Sequence, residues 1–123
     1  MIHFVHSVDP EEGGVSSSVL DLNESLIKEG QESSIVTNPR LVKQMDFSDK
    51  IGIVAHGLWQ WPSYLAKKMA IKNSLPYIIF PHGMMDPWFK KTYPLKHLKK
   101  QLYWCWRQAS VIQGAGAVCF TTE

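Results

Sequence analysis

Short apolar runs alternate with longer segments of helical periodicity along this chain, and that alternation constrains the fold more than any other feature of the sequence. The runs are rich in β-branched and aromatic residues, which favours strands. They cover residues 2–6, 33–37, 51–55, 77–80 and 115–120. Because strands separated by a dozen residues or more can pair in parallel through crossover helices, the pattern predicts an α/β fold with a parallel sheet.

Three segments between the predicted strands have a helical repeat. In the first, over 15–29, the apolar residues share one face: Val15, Val19, Leu22 and Leu26. The serines at 16–18 are predicted to cap its start and Gly30 to follow its end. Residues 61–73 form the second, with Pro62 in its first turn, and 95–112 the third, with Leu95, Leu98, Leu102 and Trp106 on one face. The chain is therefore predicted to be one Rossmann-like three-layer domain over 1–123.

Composition excludes several other classes of protein. A hydrophobic fraction of 45% is too high for a disordered chain. No run reaches the roughly 18–20 apolar residues of a membrane span, and the first residues lack a signal peptide's basic start and long apolar run. Cys105 and Cys119 have no metal or redox spacing. We therefore expect a cytoplasmic protein with reduced thiols and no bound metal.

Charge is distributed unevenly. Residues 1–49 hold nine acidic and three basic side chains, residues 50–123 hold two and ten, and no acid lies between Pro87 and Thr122. Five lysines lie near Tyr and Trp in this stretch: Lys90, Lys91, Lys96, Lys99 and Lys100. Such a segment suits an anionic membrane surface, nucleic acid or simply a solvated helix face. Having only two arginines, Arg40 and Arg107, makes nucleic acid the weakest of these interpretations.

Glycine, histidine and tryptophan concentrate where the predicted strands end, over 7–14, 56–61 and 81–87. In parallel α/β sheets, ligands bind at this edge. Gly13 and Gly14 precede a helix, so they could let a phosphate approach its N-terminus, or they could form only a flexible turn.

Two further constellations lie at the same edge. His56 and Gln60 stand among indoles, Trp59 and Trp61, a composition that suits a sugar platform or ordinary aromatic packing. His82 precedes Asp86 in a proline-rich loop. The pair could bind a hydroxyl or move a proton, or it could be a loop with a solvated carboxylate. The spacing and number of ligands around His82 and Asp86 do not suit a metal site, because no third ligand lies nearby.

The longer motifs resemble those of a known family. HFVHSVDPEEGGVSSSVLDLNESLIKEGQESSIVT, HGLWQWPSYLA, PHGMMDPWFKKTYPLKHLKKQLYW and AVCFTTE resemble the N-terminal domain of family 4 glycosyltransferases with the GT-B fold. The likeness is to bacterial enzymes of exopolysaccharide and lipopolysaccharide assembly. It covers nearly the whole chain and is weakest over 38–50.

This resemblance implies the acceptor-side domain of a retaining transferase that uses a nucleotide sugar and needs no metal or other cofactor. Gly13 and Gly14 would approach the donor phosphate or sugar. His82 would lie near the transferred sugar as the catalytic residue. His56, Trp59 and Asp86 would line the acceptor side. The lysine-rich segment would face the cytoplasmic side of the membrane, where lipid-linked acceptors reside.

The chain departs from the family pattern in two respects. Only residues 38–50 fill a normally longer segment, so we expect part of the sheet to be uncovered. The nucleotide-sugar domain does not follow Glu123, so we expect the isolated chain to be inactive. Two alternatives remain: a non-catalytic half-domain that binds glycan or a separate donor-domain chain, and a gene remnant without function.

Overall fold

Five parallel strands form the centre of the molecule. A computed structural model describes residues 1–83 and 94–120. The strands are β1 (Ile2–Phe4), β2 (Ser34–Val36), β3 (Ile53–His56), β4 (Tyr77–Phe80) and β5 (Ala117–Val118). Their order in the sheet is β2-β1-β3-β4-β5, and every pairing is parallel. The predicted α/β class and parallel sheet are confirmed.

Helices connect successive strands. They are α1 (Gly14–Lys28), α2 (Pro39–Val42), α3 (Trp61–Asn73), α4 (Pro94–Tyr103) and α5 (Ala109–Gln113). A π-helical turn, Trp104–Gln108, joins α4 to α5. The predicted helices over 15–29 and 61–73 are thus confirmed within about two residues at each end, whereas the predicted helix over 95–112 is two helices joined by the π-helical turn.

One face of the sheet carries the main hydrophobic core. Side chains alternate along each strand, so residues in register share a face. On this face Ile2, Ile53 and Tyr77 form one row, and Phe4, Ala55 and Ile79 form the next. All six are buried and pack with apolar residues of α2, α3, α5 and the adjoining loops: Val42, Phe47, Leu58, Ala66, Met69, Ala70 and Val111.

The opposite face is more polar and less completely covered. It carries His3 and Val54 in one row and His56 and Phe80 in the next. α1 connects β1 to β2, which lies toward one edge of the sheet. α3 connects β3 to β4, which lies toward the other edge. Because such crossovers are right-handed, α1 covers this second face. Phe80 and its neighbour Ile78 are only half-buried.

The start of α1 differs from its prediction. Gly13 is the N-cap residue and makes no side-chain hydrogen bond. The hydroxyls of Ser17 and Ser18 donate to the carbonyl of Gly14, inside the first turn. Ser16 donates to the carbonyl of Asp9 in the preceding turn. The prediction that these serines cap the helix is therefore wrong, because glycine holds the cap position and the serines lie one turn too late. Gly30, at φ +77°, does follow the helix end as predicted.

Residues 38–50 fill more of the structure than their sequence indicates. The side chain of Asn38 accepts a hydrogen bond from the backbone N–H of Arg40 and so caps α2. Val42 and Phe47 then enter the core on the first face. The short connection therefore covers that face, and the half-buried strand residues lie on the other.

The helical segment from α4 to α5 exposes its apolar stripe. Leu95, Leu98, Leu102 and Trp106 are all exposed, Trp106 to 90%. The side-chain amide of Gln108, by contrast, is buried and connects three elements. It accepts from the backbone N–H of Trp59 at 3.3 Å and donates to the hydroxyl of Ser63 at 3.3 Å. None of the helices in the described part of the chain is long and apolar enough to cross a membrane.

Candidate functional site

The direction of the chain through the sheet reverses between β1 and β3. β1 leads outward to β2 on one side, whereas β3 leads to β4 on the other. Open α/β sheets bind ligands at such a point, beyond the carboxyl ends of the strands. A cleft of about 100 Å³ opens there. It is lined by the ends of β1 and β3 and by the first turns of α1 and α3, including His6, Ser7, Val15, Ser16, His56 and Gln60.

The two glycines at the start of α1 have different conformations. Gly13 has φ +103° and ψ −168°, a region that only glycine adopts without strain. Gly14 lies in the first helical turn, and a Cβ placed on it would have no heavy atom within 4 Å. No acidic side chain occupies this first turn. The N–H of Ser16 donates to the carbonyl of Gly13, and the other N–H groups of the first turn, with the positive end of the helix dipole, face this edge, where an anion could bind.

Three histidines form a hydrogen-bonded row across the same edge. Nδ1 of His3 lies 3.0 Å from Nε2 of His56, and Nδ1 of His56 lies 3.0 Å from Nε2 of His82. The rings stack with centroid separations of 5.3 and 5.2 Å. His3 and His56 are buried, and His82 is half-buried at the outer end. The sheet order brings the row together, because β3 lies between β1 and β4; His3, in the middle of β1, is in register with Val54, and His56 lies two residues further along β3 on the same face.

Burial keeps these imidazoles uncharged. It lowers the pKa of His3 to about 4 and is the largest cause of the lowered pKa of His56, which is about 3. The neighbouring histidines lower the pKa of His56 further. Burial also lowers the pKa of His82. At neutral pH the row therefore consists of neutral rings, each with one donor and one acceptor nitrogen.

Left-handed backbone conformations concentrate where β3 and β4 end. Trp59 has φ +66° and His82 has φ +48°, and both are next to or near glycines with positive φ, Gly57 and Gly83. A non-glycine residue in this region costs about 1–3 kcal/mol and is often found at functional sites. The strained turn after β4 therefore carries His82, whose Nε2 contacts Nδ1 of His56.

The structure separates the two tryptophans of the predicted sugar platform from His56. Trp59 packs against Tyr103 and Trp104, with ring centroids 6.1 and 5.7 Å apart. Trp61 lies 5.9 Å from the ring of Phe4 and packs on the core. Among the described residues, neither indole lines the cleft beside His56.

The remaining predicted site residues are only partly described. Gly13, Gly14, His56 and His82 all lie at one edge of the sheet, as the sequence predicts. Asp86, Lys90 and Lys91 lie outside the described residues, as do the side chains of Lys96 and Lys100. Lys99 is exposed on α4.

Sequence reasoning missed His3 and Gln108. The sequence predicts only a strand position for His3, although a histidine within a buried apolar strand is itself a signal, because a buried polar side chain needs a partner. The alternation of β1 places it on the face that His56 shares, but the neighbouring strand could be identified only from the topology. Gln108 lies on a predicted helix, and nothing in the sequence indicates that it bonds to Trp59 and Ser63.

The row also limits what the site can bind. The described residues contain no group of three or more His, Cys, Asp or Glu side chains that could hold a metal ion. Both ring nitrogens of His56 already face other imidazoles, so this residue has no free nitrogen for a ligand.

Models of protein families, curated proteins and solved structures were each compared with the chain, and none of them matches it.

Proposed function

We propose that this chain is the acceptor-side, N-terminal domain of a retaining GT-B glycosyltransferase. The intact enzyme would move a sugar from a nucleotide sugar to a glycan or lipid-linked acceptor. The observation that carries the proposal is the juxtaposition of the Gly13-Gly14 turn, the cleft and the histidine row at one edge of a parallel sheet. The sequence motifs that resemble family 4 enzymes fall on these same residues.

The size of the cleft favours a shared site. Pockets for small molecules usually enclose about 300–1,000 Å³. The cleft of about 100 Å³ is too small for a nucleotide sugar, so it would supply one wall of a site. In the proposal, a nucleotide-sugar domain supplies the opposite wall. The chain alone should therefore bind donor weakly and transfer no sugar.

The first turn of α1 and His82 would have different roles at this edge of the sheet. The first turn of α1 offers N–H groups and a positive dipole to the donor phosphates, and Gly14 has no side chain to obstruct them. His82 would hydrogen-bond to the transferred sugar or the leaving phosphate. Its lowered pKa means that it would act as a neutral hydrogen-bonding group.

The first experiment is to measure the intact mass of the native polypeptide in its source cell. A mass well above the 14.0 kDa of this chain would indicate an enzyme with further domains. That polypeptide would then be assayed with a panel of nucleotide sugars. We expect His82→Ala to lower transfer by about 100-fold or more, because a positioned donor at a reacting oxygen contributes about that much. Gln44→Ala, on an exposed turn, is the matched control.

Two results would contradict the transferase proposal. One is full activity in His82→Ala, which would exclude the assigned role. The other is a native mass near 14.0 kDa with no turnover on any donor, which would favour the non-catalytic half-domain. Light scattering on the native protein would then test whether it associates with a partner chain.

We also propose that α4 lies on an anionic membrane. The support is an exposed apolar stripe, formed by Leu95, Leu98 and Leu102 on α4 and by Trp106 on the π-helical turn that follows, within a stretch that has no acidic residue. An interfacial helix binds through such an apolar face, and basic residues such as Lys99 add attraction to anionic lipid.

Vesicle binding tests this contact with a closely matched pair. Leu102 on α4 and Ile71 on α3 are both 69% exposed. Leu102→Gln should weaken binding to phosphatidylglycerol vesicles severalfold, whereas Ile71→Gln should not change it. Equal binding to zwitterionic phosphatidylcholine vesicles, or equal losses in the two variants, would overturn the membrane assignment.

A further inference from the structure

The row of three imidazoles has a direction. Each of its two short contacts joins one nitrogen to another, so each contact contains one donor and one acceptor. Because all three rings are neutral, only two arrangements satisfy both contacts. In the first, His3 donates through Nδ1 to His56, His56 donates through Nδ1 to His82, and His82 has its proton on Nδ1. In the second, every proton lies on Nε2 and the direction is reversed.

The buried end of the row distinguishes the two arrangements. Nε2 of His3 is fully buried and has no hydrogen-bond partner among the described residues. The reversed arrangement would place an N–H on this atom, whereas the first arrangement leaves only a lone pair there. Buried N–H groups without a partner are rarer in proteins than under-satisfied acceptors. The first arrangement is therefore favoured.

We propose that His3 and His56 are positioning residues that fix His82 in its Nδ1–H tautomer. The half-buried His82 then presents an N–H donor at the carboxyl edge of β4, and its other nitrogen is occupied by His56. A ligand at this point must offer an oxygen lone pair, as a sugar hydroxyl or a phosphate does.

This arrangement also excludes one chemical role. Nδ1 of His82 already has a proton and has no lone pair in the plane of the ring, so it cannot accept another proton. Reversing the row would free that nitrogen, but it would move a proton onto the unpartnered Nε2 of His3. His82 is therefore a hydrogen-bond donor and not a general base. The tautomer is independent of any reaction, and only its meaning for a sugar or phosphate rests on the proposed function.

Long-range proton–nitrogen NMR spectra of the full chain, labelled with ¹⁵N-histidine and free of ligand, measure the tautomer directly. At neutral pH we expect a protonated Nδ1 and an unprotonated Nε2 for His82, His56 and His3. An Nε2–H tautomer or an imidazolium at His82 would overturn the proposal. Because this measurement needs neither a donor nor an acceptor, it can succeed or fail separately from the transferase assay.

A variant tests whether the neighbours cause the tautomer. His56→Phe keeps a ring of similar size and removes the donor to His82. We expect the Nδ1–H signal of His82 to be replaced by Nε2–H, the form that predominates in free histidine. His6→Gln, which removes an exposed imidazole at the same edge, should leave the His82 signals unchanged. Retention of Nδ1–H in His56→Phe would contradict the positioning role, and if this variant does not fold, the wild-type spectrum still decides the tautomer.

Discussion

The two faces of the sheet bury different kinds of side chain. One buries six strand residues against three helices and their loops, and the hydroxyl of Tyr77, the polar group among these six, donates to the carbonyl of Val111. Among the described residues, the other is covered by α1 and places His3 and His56 among its buried residues. The same strands supply both faces, because alternate side chains point in opposite directions.

The first face contributes to the stability of the fold, whereas the second face holds the histidines of the candidate site. Burying an apolar side chain contributes about 1.5–3 kcal/mol, so the apolar residues buried on the first face stabilise the fold directly. A buried imidazole contributes less and requires a hydrogen-bond partner. The second face provides those partners only in a row that leads to the carboxyl edge. Each of the following predictions compares the two faces or examines the helix that covers the second.

Among the substitutions, the largest expected effect comes from adjacent isoleucines on β4. Ile79 is fully buried on the core face, and Ile78 is half-buried on the other. Ile79→Ala should lower the free energy of unfolding by about 2–5 kcal/mol, the usual cost of such a cavity. Ile78→Ala, the matched control, should lower it by less than about 2 kcal/mol. Urea denaturation measures both, and equal losses would mean that the two faces contribute alike.

The second prediction concerns pH. The pKa values of about 4 for His3 and about 3 for His56 are below the value of 6.5 that each has when unfolded. Below pH 6.5 the unfolded chain therefore binds more protons than the folded chain. The free energy of unfolding should fall as the pH decreases from 6.5 to about 4, by about 1.4 kcal/mol per pH unit for each buried histidine.

Unfolding midpoints in urea at several pH values between 4 and 7.5 test this slope. His3→Phe should make the slope shallower, because one buried titrating group is removed. Ile79→Ala is the control, since it should lower stability at every pH without changing the slope. A His3→Phe slope identical to that of the parent would show that the second face does not bury its histidine in neutral form.

The smallest effect is expected at the turn that leads into α1. Gly13→Ala should cost about 1–3 kcal/mol, because φ +103° with ψ −168° strains any other residue. Gly14→Ala should raise stability by up to about 1 kcal/mol, since the helical position has open space for a methyl group. Thermal unfolding measures both variants, and a loss of stability in Gly14→Ala would contradict the assigned geometry.

The fold could be predicted largely from the sequence, because hydrophobic periodicity and turn residues are local signals. The helix over 61–73 and the strand over 77–80 agree with their predictions at both ends. The start of α1 could not be predicted as well. Serine and glycine both suit a cap, and only the conformation of Gly13 decides between them.

The site could be predicted only in part. Gly13, Gly14, His56 and His82 follow from the rule that strand ends share an edge. The partnership of His3 with His56 depends on β1 lying next to β3, and such non-local pairing has no sequence signal of its own. The position of Trp59 depends on the π-helical turn, which places Trp104 and Gln108 against it.

The strand order also governs how this chain reaches its folded state. In the described part of the chain, every pair of neighbouring strands is parallel and none is joined by a hairpin, so no strand pair can form locally. Residue 3 must find residue 54 before the interior of the sheet exists. Because closing such long loops precedes the contacts that stabilise them, folding should be slow for a chain of this size. Until β3 docks, the inner edge of β1 remains open to pairing with other chains, which makes early folding the stage most exposed to aggregation.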